Sequence, residues 1–176
     1  MKMKQDKIIN GMFWGIFIFY LILMIEVLFI RVGMDSHNIN FIPFKSIAEG
    51  INVYDGIRYR LVDMQVWGNV LAFIPAGIYL MILIKKSPVL RSLLTVFLLS
   101  LGIETAQYIF RVGASDIDDI ILNCLGGIIG IFIYCLLEKL FKTKEKTKRV
   151  ITIISVCIGV PVLIVALIIV YVNYIN

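Results

Sequence analysis

Five long runs of apolar residues, separated by short polar segments, make up most of this chain. Each is close to the ~20 residues that an α-helix needs to cross the hydrocarbon core of a bilayer. The pattern therefore predicts an all-α integral membrane protein, a bundle of about five transmembrane helices in a single domain over residues 1–176. The predicted spans are residues 8–30, 66–84, 89–110, 116–141 and 150–172.

The composition supports a membrane protein over a soluble one. Hydrophobic residues make up 60% of the chain and charged residues only 16%, whereas soluble domains have about half and about a quarter. The basic residues flank the apolar runs instead of forming a stripe on a soluble face, so we expect no nucleic-acid partner. Membrane lipid is the expected environment.

The placement of charge predicts the orientation. Most basic residues lie in the N-terminal tail, in the turn at residues 85–91 and in the connector at residues 139–149. With five spans, these three segments share one side of the membrane, and basic loops favour the cytoplasm. We therefore expect a multi-pass protein of the cell membrane, with its N-terminus cytoplasmic and its C-terminus extracellular.

The one long connection, residues 31–65, is then extracellular. Its Asn40-Phe41-Ile42-Pro43-Phe44 piece is apolar for a loop, and Pro43 disfavours helix in the residue before it. We expect a lipid-skimming or re-entrant loop that packs against the bundle. A short helix is expected over residues 54–63.

Polar residues inside the apolar runs form stripes. In the third run, Glu104, Gln107 and Arg111 recur at three- and four-residue steps and so share one helix face. After a tight turn, the fourth run places its own polar residues on one face, at the same outer edge of the membrane. With the asparagine that begins the second run, the predicted ligand-binding set is Asn69, Glu104, Gln107, Arg111, Asp116, Asp119 and Asn123.

Glu104 is the sharpest feature of this set. A charged carboxylate that faced lipid would cost on the order of 3 kcal/mol or more, so Glu104 is expected to face the bundle. Two interpretations remain open for the set. The side chains either hold the helices together by buried hydrogen bonds, or they line a polar cleft that is open to the outer leaflet.

The aspartates of the fourth run have a further interpretation. Ser115 or Asp116 suits a helix N-cap, and acids in a first turn suit the helix dipole. For Asp118 we favour this interpretation, because it points away from the stripe. The spacing of Glu104, Asp116 and Asp119 fits no metal motif, so we expect neither a metal nor another cofactor.

Small residues predict how the spans pack. Gly126 and Gly130 lie four residues apart on the face of Asn123, a spacing that permits close approach of a neighbouring helix. In the second run, Pro75 and Gly77 predict a kink.

Four segments resemble the VanZ-like family in their order and spacing. The resemblance extends over most of the chain. The segments are residues 40–44, residues 68–77, the Glu104-Thr105-Ala106-Gln107 piece, and residues 116–130. The resemblance implies a small polytopic membrane protein of the cell envelope of Gram-positive bacteria. The family's named member confers resistance to teicoplanin, a lipid-tailed glycopeptide antibiotic, and the resemblance supplies no reaction.

Three functions are therefore weighed. We favour a non-enzymatic protein that engages teicoplanin or lipid-linked peptidoglycan precursor at an outer-leaflet polar cleft. The alternative is an intramembrane enzyme that acts on a lipid-linked or acylated substrate with Glu104 as general base, although the sequence contains no HExxH or other activated nucleophile. A transporter is disfavoured, because five spans without an internal repeat are few and no nucleotide-binding motif is present.

Overall fold

The computed structural model describes residues 2–29, 39–54, 59–62, 64–110 and 115–175. Within these residues five helices are long and apolar enough to cross a membrane, which confirms the predicted all-α, multi-pass class. In chain order the elements are α1 (Lys2–Phe29), β1 (Ile39–Asn40), α2 (Lys45–Glu49), β2 (Ile51–Tyr54), β3 (Tyr59–Val62), α3 (Met64–Leu83), α4 (Pro88–Phe110), β4 (Ser115–Asp116), α5 (Ile117–Phe141) and α6 (Lys144–Ile175).

The predicted connector at residues 139–149 is mostly helix. Helix α5 ends at Phe141, and Lys142 then takes a left-handed conformation with φ 62° while its N–H bonds to the Glu138 carbonyl at 2.9 Å, as at many helix C-termini. Helix α6 begins at Lys144, and the Thr143 carbonyl accepts the Thr147 N–H at 3.0 Å. Lysine, glutamate and arginine are good helix formers, so the membrane helix extends into the basic segment.

The expectation of a short helix over residues 54–63 is wrong. Strands β2 and β3 form an antiparallel pair there, in the register Ile51 with Val62 and Tyr54 with Tyr59. The β-branched and aromatic residues of this stretch favour extended structure. Among the described residues of this connection, the helical segment is the five-residue α2, which precedes the pair.

A second, very short pairing ties the long connection to the helices. Strand β1 pairs in parallel with β4, so that Ile39 lies opposite Ser115 and Asn40 opposite Asp116. Because β4 directly precedes α5, the apolar piece that begins at Asn40 starts beside the N-terminus of that helix.

Helices α3 and α5 pack with their backbones in close contact. A Cβ atom added at Gly126 would overlap the Val70 carbonyl, and one added at Gly130 would overlap the Ile74 carbonyl. Gly77 meets the backbone of α5 in the same way. These contacts confirm the close approach predicted from the glycine spacing. Pro75 lies inside α3, and the kink stays a prediction.

The chain divides into two compact units, of which one combines Met1–Leu23 with Glu138–Asn176 and the other is Met24–Leu137. In the first unit α1 and α6 run parallel, because Arg149 bonds to Asp6 at 2.9 Å and Gly159 lies against Ile16 further along. The second unit contains α2 to α4, the four strands and most of α5. It carries the predicted site.

Candidate functional site

Asp116, at the start of α5, bonds both to its own helix and to the long connection. Its Oδ1 accepts the N–H of Asp118 at 2.9 Å, which is an N-cap bond and confirms the capping interpretation. The same oxygen accepts the Asn40 side-chain amide at 3.0 Å, and Oδ2 accepts the Ser46 hydroxyl. Asn40 also donates to Ser46 Oγ at 3.0 Å. Asp116 therefore caps its own helix and holds both ends of residues 40–46.

Asp118 is the residue whose surroundings the sequence interpretation missed. Its side chain is fully buried and its carboxylate accepts backbone N–H groups from the long connection: Phe44 at 2.6 Å, Ser46 at 2.7 Å and Ile47 at 3.2 Å. Its position in the first turn of α5 fits the predicted dipole role, and Asp118 also caps α2, which the sequence did not predict.

No pattern in the sequence indicates this role, because it depends on where α2 begins in the structure. The N-cap position of α2 is Phe44, which has a left-handed φ of 66° and no side-chain cap. A helix start needs acceptors for its first N–H groups, and phenylalanine supplies none. Asp118 supplies the acceptor from another part of the chain.

Glu104 faces the interior, as predicted. It is 4% exposed, and its Oε2 accepts the Asp116 backbone N–H at 3.0 Å. The carboxylate of α4 thus bonds to the main chain of the residue whose own carboxylate holds Asn40 and Ser46. Glu104 and Asp116 therefore link α4 to the start of α5 and the start of α5 to the long connection.

Three further predicted residues, Asn69, Asn123 and Gln107, are buried between the helices. The Asn69 side-chain amide of α3 donates to Asp119 Oδ1. One turn further along α5, the Asn123 amide donates to Ser100 Oγ of α4 at 3.0 Å. Gln107 is 9% exposed and lies on the buried face of α4. Arg111 lies outside the described residues.

The result is a polar interior beside an apolar exterior. The buried polar cluster consists of five buried side chains and two half-buried ones, which join α3, α4, α5 and the long connection: the buried Asn69, Glu104, Asp116, Asp118 and Asp119, and the half-buried Asn40 and Ser46. The apolar tip consists of Phe41, Ile42 and Phe44, whose side chains are 75%, 62% and 62% exposed. Both features end on the same segment, because the tip lies between the cluster members Asn40 and Ser46. How deeply the tip enters a membrane stays a prediction.

The cluster's carboxylates are arranged to accept hydrogen bonds. Among the described residues no group of three histidine, cysteine, aspartate or glutamate side chains is placed to hold a metal ion. The oxygens of Asp116 and Asp118 are instead directed at amide, hydroxyl and backbone donors.

Comparison with known proteins identifies relatives. The family model described as VanZ/LLP1 matches residues 17–138, which include the buried polar cluster and the apolar tip. Protein VanZ of Enterococcus faecium is 38% identical over 96 residues, which are 54% of this chain and 59% of that relative. The match thus spans little more than half of the relative's length. No solved structure matches the chain.

Proposed function

Since this chain belongs to the VanZ/LLP1 family, we propose that it is a cell-envelope protein that lowers the susceptibility of Gram-positive cells to teicoplanin. The apolar tip lies at the outer leaflet, following the charge bias that assigns the N-terminus to the cytoplasm. There the tip engages the lipid-tailed part of the drug or of lipid-linked peptidoglycan precursor.

The observation that supports this proposal is an exposed apolar tip held by buried acids. Phe41, Ile42 and Phe44 would each contribute about 1.5–3 kcal/mol if they moved from water into an apolar environment. A segment this apolar is suited to the acyl region of a membrane or to the acyl tail of a ligand. Asp116 and Asp118 fix the segment, so little conformational entropy is lost when it binds.

The buried polar cluster has a positioning role in this proposal. Asn69, Glu104 and Asp119 are each at most 9% exposed, so a ligand would reach them only if the helices separated. The predicted ligand-binding set is therefore proposed to act mainly through the tip that it holds in place. Of the two interpretations that the sequence left open, buried bonding between helices fits these contacts better than an open polar cleft.

The same contacts make binding a better proposal than catalysis. A general base needs hydrogen-bond access to the proton that it removes. Glu104 is nearly inaccessible, and its Oε2 accepts the Asp116 N–H. Mass spectrometry of teicoplanin after incubation with the purified protein tests this preference, because a modified drug would establish the enzymatic alternative.

The main test is drug susceptibility in a sensitive Gram-positive host. Wild type should raise the inhibitory concentration of teicoplanin and leave that of vancomycin unchanged. The double substitution Phe41→Ser and Ile42→Ser should abolish this protection, since it removes the apolar surface without touching the buried acids.

The matched control is Ile51→Ser, in strand β2 of the same connection. Ile51 is 47% exposed but lies outside the apolar tip, so this variant should protect like wild type. All variants are compared at equal membrane abundance. Protection that survives the loss of Phe41 and Ile42 would contradict the role of the tip, and absent protection by wild type would contradict the proposed function itself.

A further inference from the structure

The unit formed by α1 and α6 contains a charged cavity that is separate from the site above. Its volume is about 820 Å³, and its lining includes six charged side chains: Asp6, Lys7, Glu145, Lys146, Lys148 and Arg149. Four of these are basic and two are acidic. The cavity therefore has a positive balance of charge.

Two of the basic side chains are held in place by neighbours. Arg149 forms an ion pair with Asp6 at 2.9 Å. Lys148 donates to Asn10 Oδ1 at 2.7 Å, and its Nζ lies 4.2 Å from the centre of the Phe13 ring. A contact of this kind attracts the ammonium group to the aromatic face and holds it in position. Lys148 is thus a pre-ordered cation at the cavity wall.

The other two basic side chains of the lining, Lys7 and Lys146, are not paired with an acid within the part of the chain that the structure describes. Because Asp6 is paired with Arg149, Glu145 is the remaining acid of the lining, against three lysines. The cavity has cationic groups available for an anion.

The position of the cavity indicates where that anion comes from. The mostly apolar run of α1 starts at Ile8 and that of α6 at Val150, each beside the charged residues of the lining. Parallel helices place both starts at the same membrane face. This position corresponds to the level of lipid headgroups, and α1 carries exposed apolar side chains nearby in the sequence, such as Ile8 (54%) and Trp14 (44%).

We propose that this cavity binds the phosphate of an anionic phospholipid headgroup. Basic pockets between membrane-spanning helices have the charge and depth that such headgroups require. Lys148 supplies a fixed contact, while Lys7 and Lys146 close around the phosphate. The proposal does not depend on the function proposed above.

Native mass spectrometry of the protein in detergent tests whether the cavity binds an anionic phospholipid. The probes are phosphatidylglycerol and phosphatidylcholine with identical acyl chains. Wild type should retain phosphatidylglycerol in preference to phosphatidylcholine. The double substitution Lys7→Gln and Lys146→Gln should weaken phosphatidylglycerol binding by about 30-fold, as expected for two basic side chains near a membrane surface.

The matched control is Lys85→Gln with Lys86→Gln, which removes the same charge from the exposed turn between α3 and α4. This variant should bind phosphatidylglycerol like wild type. Equal loss in both double variants would overturn the proposal, because it would show diffuse electrostatic attraction, and so would equal retention of the two lipids by wild type. Displacement of phosphatidylglycerol by inorganic phosphate at equal concentration would overturn the lipid as the source of the anion.

Discussion

Replacing Asp118 by asparagine tests the central contact of the site. The substitution conserves shape but leaves one accepting oxygen where the carboxylate has two. In the wild type, Oδ1 accepts the Phe44 N–H and Oδ2 accepts the N–H groups of Ser46 and Ile47. In the variant, an amide NH₂ group must face at least one of these donors, and the remaining bonds lose the negative charge.

The size of the effect follows from these bonds. Hydrogen bonds to a charged group contribute about 1.5–3 kcal/mol each. The variant loses at least one of the three and weakens the others, while the half-exposed segment can recover part of the loss from water. We expect local opening of residues 44–47 to become easier by about 2–3 kcal/mol, a change of roughly 30- to 150-fold in the opening equilibrium.

Hydrogen exchange with mass spectrometry measures this opening directly, because an amide exchanges when its bond breaks locally. The amides of Phe44, Ser46 and Ile47 should exchange roughly 30- to 150-fold faster in Asp118→Asn. Amides in the middle of α5 should be unchanged, since the substitution leaves the packing of that helix intact. In the susceptibility assay the variant should lose teicoplanin protection together with this order.

The control is Glu138→Gln, the same acid-to-amide change near the other end of α5. Within the described residues, no hydrogen bond involves the side chain of Glu138, so exchange in residues 44–47 should match wild type. If Asp118→Asn changes exchange at Phe44, Ser46 and Ile47 by less than about threefold, the reasoning is refuted.

Two further pairs of substitutions test the packing of the helices by thermal unfolding in detergent. Gly126→Ala should destabilise the protein by about 1–3 kcal/mol, because its Cβ would overlap the backbone of α3. The control Gly102→Ala should be neutral or stabilising, because nothing lies within 4 Å of its added Cβ. Equal effects of the two substitutions would contradict the close approach of α3 and α5. Ser100→Ala should cost about 1–2 kcal/mol, because it removes the acceptor for the Asn123 amide. Ser92→Ala should be neutral or stabilising, since this equally buried hydroxyl has no hydrogen-bond partner among the described residues; a larger loss at Ser92 than at Ser100 would contradict this reading of the buried hydroxyls.

The sequence predicted the features that depend on local order. Five apolar runs predict five membrane helices, because hydrophobicity and length decide whether a segment spans a bilayer. The four-residue spacing of Gly126 and Gly130 predicts a close helix contact, because that spacing repeats on one helix face. The burial of Glu104 follows from the cost of a charge in lipid. None of these inferences requires knowledge of which segments are neighbours in space.

Tertiary structure alone decided what the polar residues do. The helical spacing places Asp118 on a different face of α5 from Asp116 and Asp119. It gives no information about a contact with Ser46, which lies 72 residues earlier in the chain. The backbone pairing of Asn40 with Asp116 brings that segment to the start of α5. Asp118 then accepts the first N–H groups of α2, and Asp116 bonds to both ends of the segment that carries the apolar tip. The physical reason is that a hydrogen bond depends on distance and direction in space, whereas a periodic pattern specifies direction only relative to its own helix.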